Sequence, residues 1–276
     1  MTCTRQVHTT GARVGCARVV LALALIVGSS ACAPKLVQLP TGPGTPFPDS
    51  AAAYRQAITS CRELRTLVAV LAVSGRAAGQ RLRASIDAGF EAPDKAMLEF
   101  PAPGRPFFTF VANGTSSTLI LPRDGRVLTG APPADALEAL TGIKLGPAEL
   151  RSIVSGCGLG PIEPTEGRAY EGGRADATDG NRTAYLERIE GGWRLTADRR
   201  GPFVVLYSDF RGGRPSTIRL TSIKDSQAAR GDDLTIRLSQ VDIDQPIEPK
   251  AFTPEIPAGL TPITLEELRK AGPLGR

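Results

Sequence analysis

Arg81-Leu-Arg-Ala-Ser-Ile-Asp-Ala-Gly-Phe90 alternates cleanly between two kinds of side chain. Leu82, Ala84, Ile86, Ala88 and Phe90 fall on one side, and Arg81, Arg83, Ser85 and Asp87 on the other. A period of two is an extended strand, and the split between dry and wet faces marks an antiparallel sheet that covers a core on one side. Working outward, similar short runs occupy residues 70–76, 95–100, 107–112, 118–121 and 126–129, with turns at Pro93-Asp94, Asn113-Gly114 and Asp124-Gly125. A second set covers 183–190, 193–197, 203–210, 217–223 and 233–241, with Gly191-Gly192 and Gly212-Gly213 as hairpin turns. Between the sets, residues 158–181 are rich in Gly, Pro and acidic residues and read as a long loop with one weak strand near Tyr170.

Helical spacing appears in only a few places. Ser50 can cap a helix whose apolar stripe is Tyr54, Ala57, Ile58, Cys61, Leu64 and Val68. A short helix covers 134–140 and stops at Gly142. The next has Pro147 at its first position and Glu149 in its first turn, with Leu150, Ile153, Val154 and Cys157 on one face. Thr264-Leu-Glu-Glu267 is a capping box for a last helix ending at Gly272-Pro273. About eleven antiparallel-compatible strands with a few inserted helices read as a mainly β (α+β) chain, one curved sheet around a helix-covered interior. Tight turns between strands exclude a doubly wound α/β fold.

The N-terminus is a leader. Residues 1–31 hold Arg5, Arg13 and Arg18 and no acid, then the nine apolar residues 19–27, then small residues up to Cys32. That run is too short for a bilayer-spanning helix, which needs roughly 20 residues, and fits a secretory signal peptide. Ser29-Ser30-Ala31-Cys32 matches a lipobox in which Cys32 is diacylated, with Ser29 where Leu or Val is usual; cleavage after Ala31 or Ala33 to give a soluble periplasmic carrier is the alternative. Five prolines between Pro34 and Asp49 form a tether suited to the lipoprotein, and Ala33 after the Cys fits sorting to the outer membrane. The expected organisation is a signal peptide over 1–31, a lipid-anchored tether over 32–49 and one domain over 50–276.

Composition narrows the function. The chain has 33 basic and 28 acidic residues, and three of the basic ones belong to the leader, so the rest is near neutral and has no nucleic-acid footprint. The single histidine, His8, also lies in the leader, which removes His-based triads and His-containing metal sites from the mature chain. There is no G-x-S-x-G, P-loop, C-x-x-C or H-E-x-x-H. Asp242 and Asp244 form a D-x-D pair that can hold a divalent cation but reads better as a solvated strand end before Pro246. Arg199-Arg200 and Arg211-Gly-Gly-Arg214 read as exposed hairpin turns, with anionic lipid headgroups as the alternative partner. No catalytic residue, metal or cofactor is expected. With Cys3 and Cys16 in the leader and Cys32 acylated, Cys61 and Cys157 remain as an even pair in an oxidising compartment. They are expected to bridge the two helices; two buried free thiols are the alternative. Leu82, Ile86, Phe90, Leu98, Phe100, Phe108 and Phe110 are candidates to line an apolar cavity on the dry face, or else to be simple core.

Residues 60–157 carry a family pattern: a helix running into a strand with Gly75, alternating strands ending in Pro101-Ala-Pro-Gly104, then Leu140-Thr-Gly-Ile143 and Leu150-Arg-x-Ile153-x-x-Gly156. Ile243-Asp-Gln-Pro246, followed by Phe252, matches the end of the last strand. This resembles the LolA/LolB superfamily of lipoprotein carriers, in its outer-membrane, LolB-like branch. The resemblance implies an unclosed eleven-stranded β-barrel with a helical lid over a cavity for acyl chains of lipoproteins or phospholipids. It also implies exchange with a periplasmic LolA-like carrier. The membrane-facing loop residue of the family, a Leu, falls here on Ala102 or Pro103. The expected function is non-enzymatic lipid or lipoprotein handling at the periplasmic face of the outer membrane. The rivals are a structural or assembly lipoprotein with a filled barrel, and a hydrolase using carboxylates alone.

Overall fold

The computed structural model describes residues 38–77, 79–222 and 232–271; the expected leader and Cys32 lie outside the described residues. The period-two runs become strands: β1 (Thr45–Pro46), β2 (Thr66–Ala77), β3 (Gln80–Glu91), β4 (Lys95–Phe100), β5 (Phe108–Asn113), β6 (Ser116–Leu121) and β7 (Arg126–Ala131). After two helices follow β8 (Arg168–Tyr170), β9 (Arg174–Thr178), β10 (Arg182–Ile189), β11 (Gly192–Arg200), β12 (Phe203–Arg211), β13 (Arg214–Ser222), β14 (Asp233–Ile243) and β15 (Thr261–Pro262). The helices are α1 (Ser50–Ala57), α2 (Thr59–Arg62), α3 (Pro133–Thr141), α4 (Pro147–Ser155) and α5 (Leu265–Ala271), with a 3₁₀ turn at Pro249–Phe252.

All fifteen strands form one sheet in the order β1-β8-β9-β10-β11-β12-β13-β14-β2-β3-β4-β5-β6-β7-β15. Two meanders, β2–β7 and β8–β14, join where β14 pairs with β2, and β1 and β15 stand at opposite edges without meeting. The result is an unclosed, mainly antiparallel β-barrel with few helices, as expected. The eleven expected strands are all present. The Gly- and acid-rich stretch adds a full hairpin, β8–β9, instead of one weak strand. Its alanines, Ala175 and Ala177, have little β propensity of their own. Asp176 holds the hairpin by accepting the Arg168 N–H at 2.8 Å and the Tyr170 hydroxyl at 2.7 Å.

Register puts the apolar side chains on one face from strand to strand. Leu67 lies opposite Phe90, Leu71 opposite Ile86, Leu98 opposite Phe110 and Phe100 opposite Phe108. Across the junction Val73 faces Ile236, which faces Ile218, which faces Tyr207. A one-residue slip would turn every one of these outward, so the buried face itself fixes the register.

The helix expected to run from Ser50 through Val68 is shorter and broken. Asp49 is its N-cap, α1 stops at Ile58, α2 is a single turn, and Val68 belongs to β2, on the outer face at 36% exposure. The helical stripe and the strand alternation Leu67, Ala69, Leu71 overlap in the sequence. The strand wins because it buries all three of those residues against the core. The α5 capping box forms, with Thr264 N–H donating to Glu267 Oε2 at 2.7 Å and Glu267 N–H to Thr264 Oγ1 at 3.2 Å. The C-terminal tail straps the sheet: Phe252 is buried against β4 and β5, β15 adds a short parallel strand to β7, and α5 packs on α3. No helix among the described residues is long and apolar enough to cross a membrane.

Candidate functional site

The helices gather on the inner side. α1 lies on β9, β10 and β11, α3 touches β6, and α4 reaches both β13 and β4, which three other strands separate in the sheet. α4 therefore spans the concavity. At its C-terminus Gly156 takes φ 89°, where a Cβ would sit 2.7 Å from Pro215 Cδ, and the chain turns into Cys157. Cys157 is joined to Cys61 of α2 as a disulfide with a Cα separation of 5.9 Å.

The segment after Cys157 is held from beneath by a buried polar cluster. Asp198 is 1% exposed and Arg182 7%, and their side chains form an ion pair. Asp198 Oδ2 also accepts the Leu159 N–H at 2.7 Å, while Arg182 donates to the carbonyls of Gly160 at 2.7 Å and Pro161 at 3.2 Å. Gly158 N–H donates to Tyr207 Oη at 2.9 Å and Ile162 N–H to Tyr54 Oη at 3.2 Å. Burial pushes both phenols above their usual range, so they stay neutral. Gly158 is required: a Cβ there would lie 2.1 Å from Asp198 Oδ2.

Between α1–α2 and α4 lies a cavity of about 620 Å³, lined by Tyr54, Ile58, the disulfide, Leu159 and Ile162, and by Arg55, Arg62 and Arg151. A second cavity of about 730 Å³ lies beside the β2–β3 hairpin, where β3 runs beyond the end of β4. Both are within the size range of small-ligand sites.

The seven expected lining residues do share the inner face, but they are not one cavity wall. Leu82 and Phe100 line the second cavity. Ile86 is half-buried against the core, and Phe90, Leu98, Phe108 and Phe110 are buried within it. α4 on β4 and α3 on β6 cover this part of the concavity. In the loop at Ala102 and Pro103, Ala102 is half-buried and Pro103 exposed; the large apolar side chain at its end is Phe107, 43% exposed, beneath the Arg123 guanidinium at 3.8 Å. Asp244 spends its carboxylate on the Arg65 N–H, at 2.8 Å, and so caps the start of β2; no cluster of three or more His, Cys, Asp or Glu that could hold a metal occurs among the described residues.

Sequence reasoning missed the Arg182–Asp198 pair for a definite reason. Counted from Leu195, alternation sends Asp198 outward. The ladder between β10 and β11 shifts register between Tyr185 and Leu186, which brings Asp198 opposite the inward-facing Ala184. A bulge of this kind leaves no mark in composition or spacing.

No family model matches the chain, and no curated protein matches it significantly. Among solved structures, a LolA superfamily protein from Nitrosomonas europaea aligns with a TM-score of 0.51 at 12% identity, over 74% of this chain and 98% of that one. A domain described as that of an outer membrane lipoprotein-sorting protein, from Vibrio parahaemolyticus, aligns at 0.46 and 11% identity, over 72% and 97%. The second is a looser likeness and carries no argument. The first is a likeness of fold: the chain has a LolA-like fold, and the comparison does not single out the LolB-like branch.

Proposed function

We propose that this protein is a non-enzymatic, lipid-handling protein of the bacterial cell envelope that binds acyl chains of lipoproteins or phospholipids on its inner face. In this reading Cys32 carries the lipid anchor, the domain stands at the periplasmic face of the outer membrane, and chains are exchanged with a LolA-like carrier. The observation that carries the proposal is the continuous apolar inner face, with one cavity at the β2–β3 hairpin lined by Leu82 and Phe100 and a second between the helices that cover the face. Burying a chain contributes about 0.8 kcal/mol per CH₂, so transfer needs only a difference in burial between donor and acceptor, with no covalent step and no cofactor. The packed state of Phe90, Leu98, Phe108 and Phe110 favours a second reading, a structural or assembly lipoprotein whose barrel is filled.

Photocrosslinking separates the two. A benzophenone side chain in place of Leu82 or Phe100 is expected to form lipid adducts in cells, while the same group at Val68, on the outer face, gives none. Adducts at all three positions, or at none, would favour the filled barrel.

A further inference from the structure

We propose that the cavity between α1–α2 and α4 is a phosphate-binding subsite that takes the headgroup of an anionic phospholipid. Three arginines line it, Arg55 and Arg62 from α1–α2 and Arg151 from α4. None of the three makes an ion pair among the described residues. Arg151 is half-buried, and its Nη1 is fully enclosed without a hydrogen-bond partner. A buried donor left unmade is costly, so the Arg151 guanidinium is short of protein partners, and an anion in the cavity would offset its charge without touching the enclosed Nη1.

The cavity's two carboxylates do not neutralise the arginines. Glu149 is already paired, at 2.6 Å, with Arg200, which is outside the cavity, and Glu163 is exposed. Burial lowers the affinity of Arg151 for its proton, with Asp94 opposing the effect only in part, as for a cation with incomplete compensation. The remaining wall is apolar: Tyr54, Ile58, Leu159, Ile162 and the disulfide. A cavity with apolar walls and clustered guanidinium groups matches an amphiphile whose charged end is a phosphate ester, since guanidinium forks bind phosphate in two-point fashion.

Only the lipid half of this proposal rests on the lipid-handling reading, and the test separates the two. Binding of dihexanoyl phosphatidic acid, dihexanoylglycerol and inorganic phosphate is measured on the full-length protein and on two variants, Arg55→Gln/Arg62→Gln and Arg151→Gln. Arg55 and Arg62 are exposed, so the double variant keeps its fold, which a thermal melt verifies. The expected result is that phosphatidic acid binds at least tenfold tighter than either of the other two, and that each variant loses tenfold or more for it with no change for dihexanoylglycerol. Phosphate binding as tightly as phosphatidic acid, with the same arginine dependence, would overturn the lipid source and leave a free-phosphate site. Equal binding of the two lipids, unchanged in the variants, would overturn the subsite while leaving acyl-chain binding in place. Loss of both lipids together in the variants would also overturn it, as a structural effect. Failure of both lipids to bind the unaltered protein would overturn the subsite and the acyl-chain reading together.

Discussion

Replacing Asp198 with alanine is expected to destabilise the protein by about 3–5 kcal/mol, the usual cost of stranding one partner of a buried ion pair. Arg182 would keep its charge in a site that is 7% exposed, with two carbonyls for company and no carboxylate. Leu159 N–H would lose its acceptor at the same time. The pair is not an optimum: Asp198 Oδ1 and Arg182 Nε already lack partners. That makes the cost of breaking it differ from the cost of removing it. Arg182→Met/Asp198→Leu is therefore expected to lose less than the two single variants added together, because no charge is left behind. Urea unfolding of the unaltered protein, Asp198→Ala, the double variant and its two single variants checks this. A loss under about 1 kcal/mol for Asp198→Ala would mean that water reaches the site and that the pair does not hold the 157–162 segment.

The second large effect is that of the Cys61–Cys157 bridge. Its partners are 96 residues apart in sequence, and in the chain-entropy model closing a loop of about 100 residues is worth about 4.7 kcal/mol. Cys61→Ser/Cys157→Ser is expected to lose most of that in denaturant. The bridge is also a wall of the 620 Å³ cavity and ties α2 to the end of α4, the helix that spans the concavity. Reduction is therefore expected to release bound ligand at denaturant concentrations where the sheet is still folded. The sheet's ladders do not run through either cysteine. Parallel unfolding curves for the oxidised and reduced proteins, with unchanged ligand release, would show the bridge to be incidental to the helices' docking.

Much of the architecture was legible because it rests on period two. Arg81 to Phe90 reads as a strand with one dry face, and β3 is that strand with its dry face on the core. Glycine-bearing turns such as Asn113-Gly114 and Gly212-Gly213 fix where strands end, so the meanders follow from the sequence. What was not legible came from three physical causes. Around Leu64 to Val68 two periodicities overlap, and only burial of Leu67, Ala69 and Leu71 decides between them. β1 and β15 are two-residue strands whose hydrogen bonds depend on edges built elsewhere, with no propensity signal of their own. The Arg182–Asp198 pair depends on a register shift. The site was legible only as a face: parity gave the seven apolar residues a common side, but whether a helix fills the space above each depends on where α3 and α4 lie, which no spacing reports.

Native mass spectrometry of the full-length protein, purified from cells without delipidation, tests the central claim most directly. The account predicts a population heavier than the chain by the mass of one or more lipids bearing acyl chains, lost on collisional activation and regained on incubation with phospholipid vesicles. A chain that carries no lipid on purification and takes up none from vesicles would contradict it, and the inner face would then be a filled core.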